Sequence, residues 1–269
     1  MTTPARQGPR HLSYPGLIAV VVGYLTIIKG VGYAAASIWD LDGEIYTARD
    51  VVVLMWLPLG LALAYTYAVI TWLGWLRPVW HDDRPVRRWV WAVPVVFVAC
   101  IALAIDYGDL AAKPLGYVLA LLVATQIVGW GEEGMFRGIG VVSLRFHELS
   151  EGKVALWSSV LFGAVHLTNA LGPGSVSKAL PQAVAVSFAG YFFYLIRRVS
   201  RGNAVNSVVH GLFDFSVISG TAIAAGQGSY LGSGAAILAY VVTGALLVIR
   251  RKHIETARST SALSTPESP

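Results

Sequence analysis

The sequence predicts an all-α polytopic integral membrane protein with about eight transmembrane helices, and three observations carry that expectation. Of its 269 residues, 55% are hydrophobic and only 13% charged, with a mean hydropathy of +0.62, far from the balance of a soluble domain. The apolar residues fall into runs of the length that crosses a bilayer core, about 20 residues of helix. Nine Trp and twelve Tyr suit the headgroup level, where amphipathic rings gather. Trp72, Trp75, Trp80, Trp89 and Trp91 bracket one short polar loop, which is therefore expected at an interface. A net charge of +5 does not point to nucleic acid, because the basic residues are dispersed between apolar spans and form no single patch. The expected surroundings are a lipid bilayer. The single cysteine, Cys100, excludes an intramolecular disulfide.

Taken in order, the candidate spans are Pro15–Ala36, Val51–Leu76, Val90–Ile105, Leu115–Val142, Val154–Thr168, Leu180–Ile196, Ala204–Ala222 and Tyr230–Ile249. The fourth is long enough to protrude from the bilayer. The fifth is short, so it is either sheltered by its neighbours or stops within the membrane. With no internal repeat and no long loop, the chain divides into a cytoplasmic tail at 1–11, one helical membrane domain at 12–253 and a Ser/Thr/Pro-containing tail at 254–269, expected to be disordered and cytoplasmic. Orientation follows from the distribution of Lys and Arg in alternate loops. With the N-terminus cytoplasmic, that side receives sixteen of the twenty basic residues, leaving Lys29, Arg49, Lys113 and Lys178 for the other. Both termini inside requires an even number of spans, an argument for eight that is independent of hydropathy. In a bacterial cell the membrane would be the plasma membrane. A competing reading makes the first span a cleaved signal peptide, since Arg6 and Arg10 precede an apolar run and Ala34-Ala35-Ala36 resembles a cleavage site. It would leave the other seven spans, and their chemistry, in place.

Charged residues inside these spans are the informative exceptions, because a charge at the bilayer centre costs about 2.5–3.5 kcal/mol on insertion scales and calls for a partner or a function. Glu132 and Glu133 are adjacent on the fourth span, and Arg137 lies one turn beyond Glu133. The i,i+4 spacing with the acid first favours a Glu133–Arg137 ion pair. Glu132, rotated by about 100°, is left to face elsewhere as a candidate general base. His166 lies near the end of the fifth span, with Phe162 one turn earlier, and His210 and Asp214 are one turn apart on the seventh. At about 1.5 Å per residue, His166 and Asp214 lie roughly 18 and 15 Å into their spans, His210 about 9 Å, and Glu132 about 15 Å from the end of its own. The four can share one layer, a polar site between helices 4, 5 and 7.

Such a set permits two chemistries. Glu132, His166 and His210 could hold a divalent metal such as zinc and acidify its water, or a Glu–His pair could activate water directly while the other groups stabilise an oxyanion. Both lead to amide hydrolysis. The H-E-x-x-H helix of soluble metalloproteases is absent. Ser159 and Ser207 sit in no nucleophile-elbow sequence and read as packing residues. Lys29 reads as a residue snorkelling to the headgroups, and Gly131, Gly134 and Gly138 as sites where another helix approaches the glutamate helix closely.

At these residues the chain resembles the CPBP family of intramembrane proteases, also called the Abi family, which includes the type II CAAX prenyl endopeptidases. Its marks are E-E-x-x-x-R, F-x-x-x-H and H-x-x-x-N or H-x-x-x-D on separate helices. Here they read Glu132-Glu133-Gly134-Met135-Phe136-Arg137, then Phe162 to His166, then His210 to Asp214, in that order. The resemblance implies that Glu132 and His166 activate the attacking water, while His210 and Asp214 bind a metal, orient the substrate or stabilise the oxyanion. The third motif ends in Asp214, whose ionised form only accepts hydrogen bonds, so an oxyanion role would require its protonation. The implied substrate is a membrane-associated peptide or protein. Two other classes are compatible with the sequence. Intramembrane Glu, His and Asp also build proton relays in transporters, although no inverted repeat is visible, and a non-catalytic immunity-like or scaffold protein would use the same fold to bind a partner.

Overall fold

The structure is a computed structural model that describes residues 9–105, 107–171, 176–223 and 231–254. The expected tails therefore lie outside the described residues apart from 9–11 and 254, as do Asp106 and the first residue of the eighth span. Among the described residues, eight long helical segments succeed one another: α1 Tyr14–Ile38, α2 Ala48–Leu73, α3 Ala92–Ala104, α4 Leu115–Phe146, α5 Glu151–Val165, α6 Val176–Val199, α7 Asn203–Ile223 and α8 Leu231–Ile249. They overlap, in order, the eight stretches expected as spans. Among the described residues, four stretches are long and apolar enough to cross a membrane, namely α1, α2, α4 and Ala179–Val199 of α6, and the 3-10 turn Arg88–Trp91 with α3 makes a shorter apolar helix.

Local signals account for the helix ends. Ser13 caps α1 by accepting from the Gly16 N–H at 3.2 Å, with Pro15 in the first turn. Thr47 and Asp50 form a reciprocal capping box at the start of α2. Gly74, at φ +75°, closes α2 in the left-handed conformation that glycine adopts without strain. That reversal turns Trp75 inward. Its indole is fully buried, stacks on Phe146 at 5.1 Å and donates to the Arg10 carbonyl at 3.1 Å. Trp75 is thus a core residue and not one of the interfacial tryptophans the sequence suggested, whereas Trp72, Trp89 and Trp91 are exposed.

Helices α4 and α7 pack extensively, as do α5 and α6. The α4–α7 approach is backbone to backbone. A Cβ on Gly129 would lie 2.3 Å from the Ser207 carbonyl oxygen and 2.6 Å from the Gly211 nitrogen. Gly134 and Gly138, expected as close-approach sites, face the Thr66 and Val79 side chains, 2.9 and 3.0 Å from where a Cβ would stand. Phe97, Phe136, Phe162, Phe192 and Phe193 fill the space between the helices. Four of the arginines that charge counting assigned to one side, Arg84, Arg145, Arg197 and Arg198, meet Asp82 and Glu151 at one end of the bundle.

Candidate active site

Helix α4 changes character at the site. From Glu133 to Gly140 its turns widen into a π-helix, and every residue of that stretch is buried. Such wide turns concentrate at functional positions because they redirect side chains within a continuous helix. Two glycines, Gly134 and Gly138, let neighbouring elements close over it.

Glu133 is fully buried and completely engaged. Its Oε1 accepts from Arg137 Nη1 at 3.0 Å and lies 2.7 Å from His210 Nδ1, while its Oε2 accepts from Asn206 Nδ2. Arg137 is equally buried. Its Nη2 donates to the Gly190 carbonyl at 2.8 Å, and its guanidinium lies over the Phe162 ring at 4.2 Å and the Phe193 ring at 5.3 Å. Position 190 must be small, since a Cβ there would come within 2.9 Å of Arg137 Nη2. The expected Glu133–Arg137 pair is therefore present as the centre of a larger arrangement linking α4, α6 and α7.

Glu132 differs from its neighbour. Its side chain keeps 16% of its surface accessible, and its Oε2 lies 3.7 Å from His210 Nε2. Asp214 Oδ2 approaches the same nitrogen at 3.6 Å, with 19% of its side chain accessible. His210 is thus held by Glu133 through Nδ1 and presents Nε2 to two partly open carboxylates. Its imidazole stacks on Phe193 at 4.1 Å.

His166 occupies the junction where α5 gives way to the 3-10 turn His166–Leu171. Its Nδ1 lies 2.9 Å from the Phe162 carbonyl, and donation to that oxygen fixes the tautomer with a free lone pair on Nε2. The Phe162 ring stands edge-on to both imidazoles, 5.2 Å from His166 and 5.7 Å from His210. Glu132, His210 and Asp214 are in direct array, and His166 and His210 share the Phe162 ring as a neighbour.

Among the described residues, no group of three or more His, Cys, Asp or Glu is arranged to hold a metal ion. His166 Nδ1 faces a carbonyl and His210 Nδ1 faces Glu133, so each imidazole has Nε2 as its open nitrogen. The chemistry below is derived from the side chains.

Two residues of the site, Asn206 and Tyr24, were not read from the sequence. Asn206, one turn before His210 on α7, bonds Glu133; its i,i+4 spacing from His210 was the available signal. Tyr24 of α1 is buried, and its hydroxyl lies 3.3 Å from the position a Cβ on Gly131 would take, within electrostatic range of Glu132, Asp214 and Glu133. It donates to no described residue. Lys29, read as snorkelling, instead donates to Asn169 Oδ1 at 3.0 Å, and Asn169 Nδ2 donates to Gln182 Oε1 at 3.2 Å. That chain ties α1 and α6 to the turn carrying His166.

Helices and site together define a class, a helical integral membrane protein with a buried carboxylate–imidazole centre. Residues 114–216 match the family model described as type II CAAX prenyl endopeptidase Rce1-like, the group to which the three motifs pointed, and all three lie inside the matched stretch. No curated protein and no solved structure matches the chain.

Proposed function

We propose that the protein is an intramembrane endopeptidase that hydrolyses a peptide bond in a membrane-associated peptide or protein, using water activated by Glu132 and His166. The observation that carries this reading is the division of labour between adjacent glutamates. Glu133 is fully committed to Arg137, Asn206 and His210, while Glu132 stays partly open in the same polar layer. A second carboxylate with no structural duty, kept accessible in an apolar bundle, suits general-base chemistry.

In the proposed reaction Glu132 takes a proton from water, with the free Nε2 of His166 as the second acceptor that orients it. The hydroxide attacks the scissile carbonyl carbon, and the carbonyl π pair moves onto oxygen. Carboxylates face both nitrogens of His210, so the ring acts as an imidazolium, its Nδ1–H donating to Glu133 and its Nε2–H, with the Tyr24 hydroxyl, to that oxyanion, a role Asp214 performs poorly when ionised. Asp214 instead aligns His210. Collapse of the intermediate restores the carbonyl and breaks the C–N bond, and the proton held by Glu132 passes to the departing amine. In this reading the chain has the eight expected spans with both termini cytoplasmic, and the layer lies towards the cytoplasmic half of the bilayer. The matched family's name supports a CAAX-type protease; prenyl recognition has no separate support.

The test compares peptide termini, by mass spectrometry, between cells expressing the wild-type chain and cells expressing Glu132→Ala or His166→Ala at equal abundance. New termini should appear with wild type only, since losing the general base costs about 10²–10⁴-fold in rate. On the identified substrate, Tyr24→Phe should lower kcat and leave KM near wild type. Identical terminomes at good coverage would reject proteolysis in favour of a binding or immunity role.

A further inference from the structure

The arginine-rich end of the bundle is unbalanced in charge. Four guanidiniums, from Arg84, Arg145, Arg197 and Arg198, share two carboxylates, Asp82 and Glu151. Arg197 and Arg198 have no accessible side-chain surface. Surplus positive charge with low-dielectric walls focuses a field on any concavity that opens against it.

Such a concavity is present, a cavity of about 310 Å³ between the 82–91 segment and the end of α6. Arg198 forms its inner wall, and Arg84, Arg88 and Arg201 are exposed around it, the last two paired with no carboxylate among the described residues. Asp83 is the one additional acid there. Trp91 also lines it, half exposed at 51%, beside Trp89 at 42%. Amphipathic indoles of this kind mark headgroup depth. From the cavity mouth, α3 continues with Val95, Val98 and Leu103 exposed, an apolar track running away from the cations.

We propose that this cavity binds the phosphodiester of an anionic phospholipid, with the headgroup between Arg88 and Arg201 and the acyl chains lying along α3. Guanidinium forks match phosphate oxygens in geometry as well as charge, and basic pockets between helices are a recurring form of headgroup site. The volume suits a headgroup and excludes the chains, which is the division the apolar track requires. This inference does not depend on the peptidase reading.

The test titrates the full chain, in phosphatidylcholine nanodiscs and in detergent, with phosphatidylglycerol, reading retained lipid by native mass spectrometry. Phosphatidylglycerol should be retained over phosphatidylcholine, and Arg88→Gln with Arg201→Asn should weaken that preference on the order of tenfold. Asparagine suits position 201 because Arg201 sits at φ +59°, a conformation it tolerates. Arg88→Gln alone serves if the double variant melts lower than wild type in phosphatidylcholine. The control pair Arg250→Gln and Lys252→Gln removes the same charge from the exposed end of α8. An equal loss in that pair would mean diffuse surface attraction and would overturn the site, as would no preference for the anionic lipid. Inorganic phosphate competing at millimolar concentration would reassign the cavity to a soluble anion and overturn its lipid source.

Discussion

Glu132 and Glu133 differ by one position, and the consequence of changing each is correspondingly different. Removing Arg137 would leave Glu133 buried without its cation, and breaking a buried pair from one side costs about 3–5 kcal/mol. Arg137→Ala should therefore lower the melting temperature in detergent sharply and reduce expression. Glu132→Ala should melt like wild type while abolishing cleavage, because that side chain is partly accessible and bonds only loosely to His210. A melting temperature unchanged in Arg137→Ala would contradict the structural role assigned to the pair. The Glu133–Arg137 pairing was legible in the sequence because i,i+4 neighbours meet on any helix. Asn206 and Gly190 were not, since their contacts with Glu133 and Arg137 span sequence separations of 73 and 53, which no local pattern encodes.

At the scale of elements, the site depends on how closely α4 and α7 approach. Gly129 permits that approach by having no side chain, and a methyl group there would meet the Ser207 carbonyl and the Gly211 nitrogen, both backbone atoms that cannot rotate away. Gly129→Ala should cost about 1–3 kcal/mol through overpacking and displace His210 relative to Glu132. Gly116→Ala on the same helix, where a Cβ meets nothing within 4 Å, is the matched control and should leave stability unchanged or slightly raised. Equal effects from the two substitutions, measured as melting temperature and cleavage rate, would show that the contact does not matter. Gly134→Leu belongs to the same class, given Thr66 at 2.9 Å. The sequence suggested Gly131, Gly134 and Gly138 as close-approach sites but missed Gly129 and Gly211. Small residues are frequent in apolar helices, and only the partner helix distinguishes those at a crossing.

Across the whole molecule, the ionic end joins the 82–91 segment, α4, α5 and α6. Glu151 precedes the apolar part of α5. Burial alone would raise its carboxyl pKa, but bonds and charge from Arg145, the Tyr194 hydroxyl and Arg198 outweigh it and bring it down to about 2. A depressed carboxyl contributes stability that is fully present above the unfolded value near 4.5 and is lost as pH falls towards about 2. Thermal stability in detergent should thus decline as pH is lowered from about 4.5, and Glu151→Gln should flatten that part of the profile. A variant with the wild-type slope would remove Glu151 from the account. By itself the sequence determined the helical membrane class, the order of the helices, the three motifs and the neutralisation of Glu133, because each follows from composition or from spacing within one helix. Only the tertiary structure decided which faces meet. Where helices are apolar all round, periodicity does not separate a lipid-facing from a packed face. The placement of Tyr24, Asn206 and Lys29, the inward turn of Trp75 and the four arginines around two carboxylates therefore emerge only when the helices are brought together.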